Sequence, residues 1–216
     1  MEKIRLHYFD IWGRAEMIRI LLHHAKVEYE NVIIDGEGLN KLRAEGAVEF
    51  EQIPMLEIGD KKYVQSTAIL RLLGRKYGYY PSDVEEAYWI DSFMDSIEDT
   101  LKKFLQVKYE KDELEKTSKG ADLIGVYLPK WLGAIEKRLA DNAAKGNSKH
   151  LVGDKYTIAD FVLGSFINSI FFNDANEISK PSRIIYEMHE NLMKFKESFN
   201  KDFEEYLKAR PQPRPI

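Results

Sequence analysis

The chain opens with a short run of strand formers, Ile4-Arg5-Leu6-His7-Tyr8-Phe9, and Asp10-Ile11-Trp12-Gly13 then turns it. From Arg14 the period changes. Met17, Ile18, Leu21 and Leu22 recur at three- and four-residue steps and define one face of a helix. Val27 to Ile34 reads as a second strand, with Asp35-Gly36-Glu37-Gly38 after it, so the opening predicts a β-α-β unit. Leu39 to Glu51 shows no clean period and is expected to mix short helical turns with loop. Pro54 to Ile58 predicts a short strand, Gly59-Asp60-Lys61 a hairpin turn and Lys62-Tyr63-Val64 its partner. Ala68, Ile69, Leu72 and Leu73 form the stripe of a further helix, with Ser66 as its N-cap or first-turn residue and its end near Gly78.

Past the connector Tyr79-Tyr80-Pro81-Ser82 the strand signal fades. Residues 84–110 predict one long amphipathic helix carrying Trp89, Phe93, Ile97, Leu101, Phe104 and Leu105. A second helix is expected over 121–142, with Pro129 inside it at the cost of a hydrogen bond or a bend. Thr157 to Phe172 is apolar nearly all round, as befits a helix at the centre of a domain. Two more helices are expected over 182–195 and 199–208, followed by an extended tail, Arg210 to Pro215. The pattern therefore predicts an α/β domain over residues 1–80 and an all-helical domain over 84–210.

Composition narrows the function. The 216 residues include 44% apolar ones, enough for a core, and 32 basic against 36 acidic side chains give a net charge of −4. That balance offers no basis for a nucleic-acid backbone or an anionic membrane as main partner. Cysteine is absent, which removes disulfides, thiolate metal sites, cysteine nucleophiles and dithiol redox chemistry together. No signal-like or membrane-spanning run is present, so a cytoplasmic location is expected. The spacing of His7, His23 and His24 is poor for a metal and no acidic partner is clear, so no metal is expected.

Four motifs carry a resemblance. Tyr8-Phe9-Asp10-Ile11-Trp12-Gly13-Arg14-Ala15-Glu16, with Ile18-Arg19, looks like the first strand, catalytic loop and first helix of the cytosolic glutathione S-transferases. Gln52-Ile53-Pro54-Met55-Leu56 resembles that family's thiol-site loop with its cis-proline. Gln65-Ser66-Thr67-Ala68-Ile69-Leu70 is similar to its grip on the γ-glutamyl end of glutathione. Gly153-Asp154-Lys155-Tyr156-Thr157-Ile158-Ala159-Asp160 matches its helical-domain signature. The four fall in the family's order over essentially the whole chain, and imply a thioredoxin-like domain followed by an all-helical one.

The resemblance implies site roles. Tyr8 would donate a hydrogen bond to the glutathione sulfur, and Arg14 would support the loop, raise the local positive potential or form a structural ion pair. Gln52, the backbone of Ile53 before Pro54, and Gln65 with Ser66 would hold the tripeptide. A helix N-terminus also suits its carboxylate, though Gln65 and Ser66 have a capping role that needs no ligand. Leu39 and Arg43 stand where relatives have Trp and Lys for the glycyl carboxylate; Leu39 cannot donate, and Lys41 is a substitute. Glu51 replaces a usual Gly or Pro. Asp99, with Asp91 and Asp95 in an acidic stripe, is either a solvated face or a residue that crosses a dimer interface, with Asp95 the fallback. Phe50 is either a local anchor or an aromatic key for a neighbouring subunit.

Ile11, Trp12, Tyr109, Phe203 and Leu207 are expected on the side of the hydrophobic substrate. Thr157 and Asp160 predict a capping box, a folding role. The implied activity is conjugation of the glutathione thiolate to a hydrophobic electrophile by a homodimer, in an alpha-, mu-, pi- or sigma-like enzyme with sigma slightly preferred. A sigma-type prostaglandin isomerase, a glutathione-dependent hydroperoxide reductase and a non-catalytic crystallin-like carrier are the alternatives.

Overall fold

Strand β1 (Ile4–Tyr8) sits inside a four-stranded sheet because both its faces are wanted, and Leu6 is fully buried. The computed structural model describes residues 2–211. A 3-10 turn (Gly13–Ala15) leads into α1 (Glu16–His24), followed by β2 (Glu30–Ile33), α2 (Gly36–Ala44), β3 (Met55–Ile58), β4 (Lys61–Val64) and α3 (Ser66–Tyr77). The sheet order is β2-β1-β3-β4. β1 runs parallel to β2, with Tyr8 opposite Ile33, and antiparallel to β3, with Leu6 opposite Leu56. Gly78 closes α3 in the left-handed region, at φ 84°, where glycine meets no Cβ penalty.

Everything after this is helical: α4 (Val84–Lys108), α5 (Glu113–Asp122), α6 (Leu128–Ala143), α7 (Ile158–Phe166), α8 (Ser179–Glu187), α9 (Glu190–Asp202) and α10 (Glu204–Ala209). The expected fold class, a thioredoxin-like sheet unit followed by an all-helical one, is the architecture found. α4 starts at Asp83, whose carboxylate accepts the Glu85 and Glu86 N–H groups at 3.0 and 2.9 Å. One apolar cluster runs without a break from Ile4 to Phe203, and α7, buried along its whole length, lies at its centre beside α1. At the junction the Ile158 N–H donates to the Tyr79 carbonyl at 3.0 Å.

The differences from the pattern have physical reasons. α2 begins in the expected turn, capped by the Asp35 carboxylate on the Gly38 N–H at 2.8 Å, and buries only Leu39. α5 buries no residue, so it has no apolar stripe to find. The single helix expected over 121–142 is the last residues of α5, a π-helical turn (Leu123–Tyr127) and α6. Pro129 brings no N–H to the carbonyl four residues back, so the ladder changes register, and the Leu128 N–H bonds to the Leu123 carbonyl instead. The last helices break at Met188-His189, because Glu136 of α6 accepts the Asn191 and Leu192 N–H groups, both at 2.9 Å, and fixes where α9 starts. Beyond Pro211 the expected extended tail lies outside the described residues.

Candidate active site

Tyr8 ends β1, buried to 7% exposure, with its side chain against the turn that follows. Its hydroxyl accepts the Arg14 N–H at 3.1 Å. A phenol oxygen can accept and still donate, and among the described residues no group takes the Tyr8 proton. Burial pushes this hydroxyl's pKa above its ordinary 10.0, against the Arg14 N–H bond and the charges of Arg14 and Arg19, so it stays protonated. Gly13 makes the geometry possible. It has φ 43°, and a Cβ there would lie 2.8 Å from the Tyr8 hydroxyl oxygen. The Arg14 guanidinium is held by Glu98 of α4, with one nitrogen 2.5 and 2.7 Å from the two carboxylate oxygens. The sequence reading passed over Glu98, which carries no signal apart from lying on one face of α4.

Tyr8 and Arg14 open onto a mostly apolar cavity of about 230 Å³ between the sheet unit and the helices. Ile11 and Tyr109 line it as expected, together with Met17, Ile97, Leu101 and Leu105. Its far-domain wall is α7 and the π-helical turn after it (Ile167–Phe171), through Val162, Ser165, Phe166, Ser169 and Ile170. The sequence reading placed this segment in the core only; serines within an otherwise apolar helix were the available signal for a wall.

Three expected substrate contacts are elsewhere. Phe203 is 1% exposed and stacks on Phe199, with ring centroids 4.4 Å apart, inside the helical core. Leu207 packs at the edge of that core and does not line the cavity. Trp12 turns to the opposite side of its loop, where its indole N–H donates to the Pro211 carbonyl at 3.1 Å and the Arg210 guanidinium lies 3.5 Å from its ring centre. The chain curls there, with Trp12 at φ −67° and ψ −66°, which carries the indole away from the Tyr8 cavity while Ile11 reaches both sides of the loop.

That opposite side holds a second cavity, of about 250 Å³, whose polar lining residues are bound into a network. Glu16, 1% exposed, accepts from the Tyr206 hydroxyl at 3.0 Å, Arg210 at 3.1 Å and Arg19 at 3.2 Å. Arg19 also donates to Asn31 and to the carbonyls of Ile11 and Trp12.

The residues expected to hold the tripeptide gather at β3 and the start of α3. The Ile53–Pro54 bond is cis. Gln65 has φ 71° and ψ 105°, a conformation that costs a non-glycine residue energy and is characteristic of functional sites. No side chain caps α3: Gln65 stands at the cap position without a side-chain bond to the helix, and Ser66 is the first helical residue, buried. The capping role weighed for this pair is therefore not the arrangement found. The Gln65 amide instead reaches the Gln52 side-chain oxygen at 3.4 Å.

The loop before Gln52 departs from the family's pattern. Leu39 is buried beneath α2 and Lys41 is exposed, 4.0 Å from Glu45. Arg43 donates to the Glu51 carbonyl at 2.9 Å and to Asn40 at 3.1 Å, so it braces the loop in which Glu51 has φ 57°.

Asp99 is exposed, 3.4 Å from Lys102, whereas Asp91 binds Arg71 and the Tyr80 hydroxyl at 2.8 and 2.7 Å. Asp95 lies 3.7 Å from Arg71. Phe50 is 55% exposed. At α7, Asp160 accepts the Thr157 N–H at 2.8 Å and the Leu151 N–H at 2.7 Å, a reciprocal box with Thr157. Of the histidines, His7 reaches Glu57 at 3.2 Å and His24 the Tyr79 hydroxyl at 2.8 Å.

Comparison with known proteins gives the same outline. Residues 4–75 match the model of the glutathione S-transferase N-terminal domain and residues 98–210 that of the C-terminal domain. The chain is 36% identical over 179 residues to human glutathione S-transferase A2, covering 82% of this chain and 78% of that protein. Prostaglandin synthase D of Nilaparvata lugens superposes with a TM-score of 0.82 at 23% identity over 98% of this chain and 100% of the other, a likeness of fold. Monomeric Na-GST-3, a glutathione S-transferase of the hookworm Necator americanus, superposes with a TM-score of 0.78 at 28% identity, over 97% of this chain and 98% of that one.

Proposed function

The chain belongs to the glutathione S-transferase family and is a glutathione transferase, and we propose that its Tyr8 hydroxyl activates the tripeptide's sulfur. A thiol near pKa 8.5 is mostly protonated at neutral pH. A hydrogen bond donated to the sulfur favours the thiolate. Tyr8 acts as a neutral donor here, since burial keeps its proton in place. The carrying observation is that this hydroxyl accepts the Arg14 N–H and, among the described residues, has its proton left over, at the mouth of an apolar cavity.

The tripeptide lies along the sheet unit. Its γ-glutamyl carboxylate meets the uncapped N–H groups of α3, the Ser66 hydroxyl and Gln65. The cysteinyl part pairs with the Ile53 backbone in the manner of an added strand, beside Pro54 and Gln52. Arg43, with Lys41 nearby, faces the glycyl carboxylate; the buried Leu39 contributes shape only. Arg14, fixed by Glu98, adds positive potential beside the sulfur. The thiolate then attacks an electrophilic carbon held against Ile11, Tyr109 and the α7 wall, with the thioether as product.

The protein works as a cytoplasmic homodimer in this reading, with Phe50 as an intersubunit anchor and Asp99 reaching the partner's bound tripeptide. The exposed Phe50 ring supports the first part. Sedimentation of the wild type and Phe50→Ala distinguishes this from a monomer like the hookworm relative.

The decisive experiment is a substrate panel of aromatic halide, organic hydroperoxide and prostaglandin endoperoxide, run on the wild type and Tyr8→Phe. Conjugation that collapses in Y8F while glutathione binding persists supports the reading. Equal loss of rate and binding overturns the role given to Tyr8. Turnover confined to the hydroperoxide or the endoperoxide moves the protein to a reductase or an isomerase, and resin binding without turnover to a carrier.

A further inference from the structure

Three buried hydroxyls on the helices of this protein are satisfied by backbone carbonyls. Thr100 donates to the Ser96 carbonyl at 2.8 Å, Ser182 to the Ile178 carbonyl at 2.7 Å and Ser179 to the Phe171 carbonyl at 2.7 Å. Ser169 is 4% exposed, and among the described residues its hydroxyl has no partner. A buried polar group left so costs free energy and asks for a reason.

Its position supplies one. Ser169 lies in the π-helical turn Ile167–Phe171, where the Phe172 N–H reaches back five residues to the Ile167 carbonyl at 3.1 Å. Such turns inside helices recur at functional sites. This one is pinned on both sides. The Asn168 amide donates to the Gly164 carbonyl and to the Asn200 side-chain oxygen, both at 2.9 Å, and the Asn176 amide donates to the Ser169 carbonyl at 2.8 Å. The backbone of Ser169 is thus held firmly while its side chain is left unsatisfied. The residue belongs to the wall of the cavity onto which Tyr8 opens.

We propose that Ser169 is a specificity-determining residue, which hydrogen-bonds a polar atom (a carbonyl, ether or hydroxyl oxygen) in the non-reacting part of the electrophile. The inference deepens the transferase reading and rests on it: the favoured substrates are amphiphilic, with an electrophilic carbon toward Tyr8 and an oxygen toward the π-helical turn. Purely aliphatic or aryl electrophiles fill the same cavity and leave the hydroxyl unpaired.

Calorimetry with S-alkyl glutathiones tests this without turnover. The probes are paired conjugates with tails of graded length, each with either a plain alkyl tail or one in which an ether oxygen replaces a methylene. In the wild type one ether position binds about fivefold to tenfold tighter than its alkyl partner, the range of a single buried hydrogen bond. Ser169→Ala abolishes that preference and leaves the alkyl series unchanged. Its Tm is equal to or above that of the wild type, because the substitution removes an unsatisfied group. Failure of every conjugate to bind the wild type sinks the underlying site assignment. Equal binding of ether and alkyl partners at every tail length, or a clear fall in Tm for S169A, overturns the role of Ser169 alone.

Discussion

The two sides of the loop from Tyr8 to Glu16 are built on opposite principles. On one side Tyr8, Gly13 and Arg14 face an apolar cavity, and among the described residues the tyrosine proton is left without an acceptor. On the other, Trp12, Glu16, Arg19, Tyr206 and Arg210 close into a network in which the Glu16 carboxylate takes three donors. A satisfied polar cluster holds chain segments together, whereas an incomplete one is kept for something that arrives from outside. The closed side ties the end of the chain to the first helix. The open side is therefore presented from a braced support.

The largest expected effect breaks the closed side. Glu16→Ala leaves Arg19 buried without its carboxylate and should cost about 3 kcal/mol or more of stability in urea denaturation. The kcat of the molecules that remain folded should be nearly unchanged. A collapse of kcat with little change in stability would join the two sides into one machine and undo the contrast.

Tyr8→Phe is the mirror experiment, with a loss on the order of a hundredfold in kcat/KM at almost constant Tm. Gly13→Ala lies between them. Its Cβ would sit 2.8 Å from the Tyr8 oxygen at a φ of 43°, so it should lose rate by displacing the hydroxyl and also about 1–3 kcal/mol through backbone strain. A G13A protein with wild-type kinetics would mean that the hydroxyl position is not critical. Smaller still is Trp12→Phe, which removes only the bond to Pro211 and should cost about 1 kcal/mol without a kinetic signature.

The smallest effect sharpens the contrast by its absence. Because burial raises the Tyr8 pKa, its neutral form is the native one, and its contribution is present below pH 10 and lost only as pH rises beyond the raised value. Activity should show no alkaline limb from this residue between neutrality and pH 10. Ultraviolet titration of the tyrosinates, wild type against Y8F, should reveal no low-pH component belonging to Tyr8.

Local pattern was enough for much of the fold. The strands, α1, α3, α4 and α7 all carry an apolar stripe or run that must be buried, and such stripes are legible without a partner in view. α5 has no buried residue and α2 a single one, so nothing in their composition distinguishes them from loop. The site divides similarly. Tyr8, Gln65 and Ser66 lie in short motifs that fold locally and are legible in the sequence. Glu98, Ser169 and the separation of Trp12, Phe203 and Leu207 from the cavity depend on elements distant in the chain.

By itself the sequence determined the order of elements, the capping box at Thr157, the lack of any cysteine of its own and the tyrosine at the end of the first strand. These follow from neighbouring residues and the period of their burial. Only the tertiary structure decided which way each side chain of the Tyr8 loop faces, which hydroxyls find acceptors and which stay open. The reason is that a hydrogen bond is satisfied in three dimensions, here by groups nearly two hundred residues apart, as Glu16 and Arg210 are.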